Sequence, residues 1–346
     1  MKFRLMLLCM VLVVAFAGLG SASAQDANAN CLNLSESDCA LVEAGLANFA
    51  TLNSFSQSYT FSLSLTGMGA MDPSAPAAVT VSSTGSGPVA MTDGTPSLAL
   101  DLEGSVNDGT NNASGPISFA IVGDRLYVQT PAGEWIGAPA EEVFEGENPL
   151  ESVMGMMGSS GGDDAEAMAL FSQFGTQERL ADETVNGQPT AVFKYSLNLA
   201  EALNSPDMSE AMGMMGNMGG AAGNSDLASA LMFLPMLAQF IQGDISFTRW
   251  VGVNDQLPYR VDLSINLSLD MMAMSGMMGA MGGDSSAAMP TMPAMDPIVL
   301  NMQLTVDMTG HNATAAPAAP AGAREVSGEE FQKLMEENFG SLMGGM

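Results

Sequence analysis

A period-two alternation that returns along most of the chain narrows the fold more than any other feature. In residues 58–66, Tyr59, Phe61, Leu63 and Leu65 alternate with Ser58, Thr60, Ser62, Ser64 and Thr66. Successive side chains of a strand point to opposite faces, so this predicts a strand with one apolar and one hydroxylated face, as in a half-buried antiparallel sheet. The pattern recurs with Val79 and Val81, with Leu98, Leu100 and Leu102, with Ile117, Phe119 and Ile121, and with Phe193, Tyr195, Leu197 and Leu199. It is longest in Ile245–Val253, in Tyr259–Leu269 and in Ile298–Met308. Gly123-Asp124 and Pro131-Ala132-Gly133 read as turns around Leu126-Tyr127-Val128 and Trp135-Ile136, and Asn186-Gly187 as a hairpin turn. About ten such strands predict one large antiparallel sheet whose apolar face must be covered.

Three segments are suited to cover it. Residues 36–53 follow the cap residues Ser35 and Asp38 and place Leu41, Val42, Leu46 and Phe49 at helical spacing. A second cover is expected near Ala165–Phe174. The third, Leu227–Ile241, is apolar almost throughout, and Pro235 should bend or break it. Met/Gly-rich tracts near 153–162, 208–223 and 271–295 read as insertions, since glycine weakens helices and methionine packs without fixing a shape. An Ala/Pro linker at 313–323 leads to residues 324–346, where Ser327 and Glu330 form a capping box ahead of Phe331, Leu334 and Met335, predicting a C-terminal amphipathic helix.

Lys2 and Arg4, the apolar run Leu5–Leu19 and Ala22-Ser23-Ala24 read as a secretory signal peptide over residues 1–24 rather than a permanent membrane anchor. Of the three cysteines, Cys9 falls in that segment. Cys31 and Cys39 remain in a compartment that permits oxidation, so a local disulfide is expected, against the alternative of two free thiols. Asn28-Ala29-Asn30 before Cys31 is no lipobox, so that cysteine is not read as lipidated.

Charge and composition restrict the chemistry. Nine basic residues stand against 38 acidic ones, a net charge of −29, which excludes nucleic acid as a partner. With 47% hydrophobic residues and only 14% charged ones, against about a quarter in ordinary domains, the chain should fold. The single histidine, His311, lies at the mouth of the linker and reads as a surface residue. Gly158-Ser159-Ser160-Gly161-Gly162 fits the G-x-S-x-G spacing but has no strand before it, and Asp163-Asp164 lack the spacing of a calcium loop. No catalytic residue, cofactor or metal site follows, and the chain does not read as an enzyme. One rival uses the 31 methionines: Met212, Met214, Met215 and Met218, or Met271, Met272, Met274, Met277 and Met278, could surround Cu(I).

The motifs Val122-Gly123-Asp124-Arg125-Leu126-Tyr127-Val128, Gly133-Glu134-Trp135, Asp182–Thr190 and Trp250-Val251 ahead of Asn254-Asp255-Gln256-Leu257-Pro258, in this order behind an N-terminal helix, resemble the LolA-like carriers, especially the LppX/LprG group of bacterial cell-envelope lipoproteins. The resemblance implies an α+β fold, a half-barrel of antiparallel strands over residues 25–323 with helices on its concave apolar face. It further implies an exported periplasmic or cell-envelope protein that carries a lipid or other apolar ligand and meets a membrane only transiently. Phe61, Leu63, Phe119, Phe193, Tyr195, Leu263 and Ile265 are the wall candidates, with Leu231, Phe233, Leu234 and Met236 from a lid. The rivals are a Met-rich copper protein and a surface protein without a ligand. Oligomeric state is left open. If Cys31 and Cys39 are bridged, mature protein unfolded without reductant should titrate no free thiol, and reduction should remove about 2–3 kcal/mol of stability, as suits a short closed loop.

Overall fold

The computed structural model describes residues 31, 33–70, 76–92, 95–110, 112–143, 175–205, 239–273 and 296–343. The signal segment, the tracts at 153–162 and 208–223, nearly all of 271–295, Ala165–Phe174, and Leu231, Phe233, Leu234 and Met236 lie outside them. Along the chain the elements are α1 (Glu36–Ala50), β1 (Ser54–Thr66), β2 (Ala78–Thr92), β3 (Thr95–Asn107), β4 (Asn112–Val122), β5 (Arg125–Gln129) and β6 (Trp135–Pro139). There follow α2 (Ala140–Val143), β7 (Gly175–Arg179), β8 (Glu183–Val185), β9 (Gln188–Asn198) and α3 (Leu199–Leu203). Then come β10 (Ile241–Gly252), β11 (Pro258–Leu269), β12 (Ile298–Thr309), β13 (Arg324–Glu325) and α4 (Gly328–Met343).

The strands form one open, curved sheet of thirteen in the order β13-β6-β5-β4-β3-β2-β1-β12-β11-β10-β9-β7, with β8 paired to β9. Every alternating run becomes a strand of this half-barrel. Three strands without a clear alternation, β7, β8 and β13, join them, and β13 pairs parallel to β6 where an all-antiparallel sheet was expected. The chain meanders outward from β1 to β6, then enters the far edge at β7 and works back to β12, which lies against β1 over eleven registered pairs. Asn186 and Gly187 both take positive φ, 52° and 80°, as the tight β8–β9 hairpin requires.

Helices at both ends of the sheet pack on its apolar face. Ser35 caps α1 by accepting from Asp38 N at 3.2 Å, and the acidic residues Glu36 and Asp38 suit the positive end of the helix. Val42 then buries against Ala191, Phe193 and Val251. The disulfide Cys31–Cys39, with Cα atoms 5.1 Å apart, ties the preceding segment to the first turn of α1. At the other end α4 is docked: Phe331 and Met335 are fully buried in the main core with Ile136 and Val143. Its start is fixed where Gly328 N donates to Glu142 Oε2 at 2.7 Å and Glu330 N to Ser327 Oγ at 3.3 Å, the backbone half of the predicted capping box.

His311, read from the sequence as a surface residue, is half-buried and held by specific contacts. Its Nε2 donates to the carbonyl of Pro258 at 2.8 Å, and its ring meets Tyr259 edge-on at 4.9 Å, which fixes the end of β12 against the start of β11. Burial pulls its pKa below the ordinary 6.5, outweighing the opposing effects of the Pro258 bond and of Asp255. A histidine with a lowered folded pKa leaves the unfolded chain binding more protons as the pH falls below 6.5, so acidification costs stability there. Urea melts from pH 7 to pH 5 should therefore show stability falling with pH, and His311→Phe should flatten that slope. An unchanged slope in the variant would show that other groups carry it.

Candidate functional site: the apolar face of the sheet

Register converts the alternations into continuous apolar rows. One row runs Tyr195, Phe247, Leu263, Leu304, Phe61 and Ser83 to Gly104 and Gly115. The next runs Leu197, Ile245, Ile265, Met302, Leu63, Val81, Val106 and Ala113. On the other side lies the row Arg179, Phe193, Arg249, Val261, Val306, Tyr59, Gly85, Leu102 and Ile117. The opposite face is polar where the same strands meet water. Ser82 and Ser105 pair at 2.8 Å, Ser118 donates to Asp101 at 2.7 Å, and Arg260 to Asp307 at 2.7 Å. Thr305 donates to Asp262 at 3.0 Å; desolvation nonetheless holds that carboxyl above the usual range.

Among the described residues the face is packed at one end of the strands and only half-covered at the other. Leu98, Leu100, Phe119, Leu126, Ile136, Leu263, Leu304, Val306 and Met308 are buried, closed in part by α4 and by Leu52 and Phe55. Tyr59 lies among them with its ring across Gly85, where a Cβ would come within 2.6 Å, and burial raises its pKa to about 12, so it stays a neutral phenol. One row on, Leu63, Val81, Ile245, Ile265 and Met302, joined by Phe247 from the Leu263 row, pack against this core while only half-buried. Beyond β2, toward β4, this part of the face loses its side chains. By register Gly104 and Gly115 belong to this face, a Cβ on Gly115 would meet nothing within 4 Å, and one on Gly104 would meet only Ser82 O at 3.9 Å, among the described residues. Among the described residues the half-covered part of the concave face is thus a shallow trough, aliphatic from β10 to β2 and bare along Ser83, Gly104 and Gly115.

Five of the predicted wall residues come together in this core: Phe61, Phe119 and Leu263 buried, Leu63 and Ile265 at its half-buried margin. Phe193 lies instead under α1, fully buried, and Tyr195 borders the small cluster of Leu197, Ala202 and Leu203. A Cβ at Gly175 would come within 2.3 Å of Tyr195 Oη, which places that ring across β7. The four lid residues lie outside the described segments. Sequence reading passed over Leu304, Met302, Phe247 and the glycine floor. The alternation of β12 held the first two, and the run 103–116 held the last, with Gly104, Ala113 and Gly115 at inward positions. Among the described residues Cys31, Cys39 and Glu43 form the one cluster of metal-binding type, and its sulfurs are joined as a disulfide. No helix among them is long and apolar enough to cross a membrane.

No family model and no curated protein matches the chain. Among solved structures it is similar to the lipoprotein LppX of Mycobacterium tuberculosis at 10% identity and a TM-score of 0.33, covering 80% of this chain and 95% of that one. LprF of Mycobacterium bovis gives 11% and 0.32, with 82% and 96% covered. Lipovitellin, in a structure concerned with lipid–protein interactions, gives 10% and 0.31, with 80% and 27% covered.

If the face is packed as described, Leu304→Ala should remove about 2–5 kcal/mol, while Met302→Ala, one row toward the trough, should remove less than half as much. Equal losses in denaturant melts would contradict the gradient of packing.

Proposed function

We propose that the protein is an exported, non-catalytic binding protein that holds a lipid or other apolar ligand against the concave face of its sheet. The trough is the observation that carries this reading. Glycine in a strand interior weakens it by about 0.5–1 kcal/mol relative to alanine, and aliphatic walls left half-buried forgo stabilisation that a closed core would have. A sheet whose described residues fill one end of its strands and only half-cover the other is shaped to receive something apolar. An acyl chain suits the space: it is long and narrow, needs few polar contacts, and gains about 0.8 kcal/mol for each methylene buried. Leu63, Ile265, Met302 and Phe247 would line it. The apolar run Leu227–Ile241, whose last residues re-enter the sheet at the start of β10, would supply the lid through Leu231, Phe233, Leu234 and Met236. Export rests on the signal sequence and agrees with a disulfide between the two mature cysteines.

Native mass spectrometry of the mature protein should find bound lipid, and a fluorescent fatty-acid probe should bind it in a saturable way. Gly104→Leu with Gly115→Leu fills the trough where the described residues leave space, so probe affinity should fall about tenfold or more while thermal stability holds or rises. Phe233→Asp with Leu234→Asp should likewise weaken loading. Absence of lipid, together with failure of the probe to bind the unaltered protein, would leave a structural protein without a ligand as the reading.

A further inference from the structure

One residue on the apolar face breaks its chemistry. Along β10 the inward positions read Ile245, Phe247, Arg249 and Val251, and Arg249 sits in register between Phe193 and Val261, both buried. The side chain as a whole is half-buried, but its Nη1 is shut off from solvent and has no hydrogen-bond partner among the described residues. Its guanidinium carbon lies 5.2 Å from the ring centre of Phe247, on the row that borders the trough.

The other described arginines show what is missing. Arg125 pairs with Glu325, Arg179 with Asp38 and Asp182, Arg260 with Asp307, and Arg324 with Glu134 and Glu330. In a chain with 38 acidic residues, the arginine set into the greasy face is the one that shows no carboxylate among the described residues. Burial draws its pKa down to about 10, with no opposing charge among the described residues to hold it up, yet that leaves it cationic at neutral pH. A buried cation is stabilised by a bound anion, and a guanidinium fork fits the paired oxygens of a carboxylate or phosphate.

We propose that Arg249 is the head-group site of the carrier, receiving the carboxylate or phosphate of an anionic single-chain amphiphile whose tail lies in the trough. This rests on the reading that the trough binds an acyl chain and adds the class of ligand. Net charge cannot account for such a preference, because a protein at −29 repels anions at long range; selection has to be local.

The test uses the full mature chain, delipidated, and displacement of a pyrene-labelled long-chain alcohol by oleate, oleyl phosphate and oleyl alcohol below their aggregation limits. Oleate or oleyl phosphate should compete at least about tenfold better than the alcohol, and whichever is stronger identifies the head group. Arg249→Met should abolish the preference with a melting temperature equal to or above that of the parent, Arg249→Lys should keep part of it, and Arg260→Met on the opposite face should leave it intact. The proposal is overturned by equal competition in the parent, or by a preference that survives Arg249→Met. It is overturned equally if Arg249→Met melts several degrees lower without ligand, since the arginine's partner is then a carboxylate of the protein itself. Alcohol binding without an anion preference refutes the head-group site alone; no binding by any of the three refutes the carrier reading as well.

Discussion

The pairing of β1 with β12 is the contact on which the rest depends. Each belongs to a separate meander, one running out to β6 and the other returning from β7, and only their eleven registered pairs make the two one sheet. Because the side-chain period of a strand is two, a slip of one residue there would turn Phe61, Leu63 and their neighbours out to water and bring Ser62 and Ser64 inward. Tyr59 against Val306, Phe61 against Leu304 and Leu63 against Met302 hold the register, since each places two apolar side chains on the same face. The packed core and the trough are both consequences, as their rows cross this seam without interruption.

Most of the fold was legible because alternation is a local signal with a geometric cause. The runs at Tyr59, Leu98, Ile117 and Tyr259 needed no tertiary information to be read as strands, and Asn186-Gly187 marked its hairpin through the positive φ angles it adopts. What escaped was set by context. β7 reads Gly-Thr-Gln-Glu-Arg, with no greasy face of its own, and is a strand because β9 offers it a partner. β13, two residues long, pairs with β6 only because α4 docks beyond it. His311 is half-buried against a ring and a carbonyl that lie far earlier in the chain, at Tyr259 and Pro258, which no local window contains.

The candidate site was legible in part for the same reason. Alternation identifies which residues share a face, so Phe61, Leu63, Phe119, Leu263 and Ile265 could be grouped, but it says nothing of what lies over them. Phe193 and Phe61 have the same pattern; α1 covers one and the core packs around the other. The glycine floor is harder still, because a glycine in a sequence reads as a weakness in a strand, and only register shows that Gly104 and Gly115 lie side by side on the inward face.

Glycine and arginine on that face are informative because each opposes folding. A closed core would be more stable with alanine or valine at Gly104 and Gly115, and with leucine or methionine at Arg249, which sits among Phe193, Phe247 and Val261. The outer face shows what this chain does when stability alone is served, pairing Arg260 with Asp307 and Ser118 with Asp101. On the inner face, among the described residues, it leaves floor space unfilled on β3 and β4 and a cation without a carboxylate on β10, five strands away from β3 on one apolar surface. An acyl chain would fill the first and its anionic head would neutralise the second, so one ligand answers two unfavourable features that packing within the described sheet leaves unresolved.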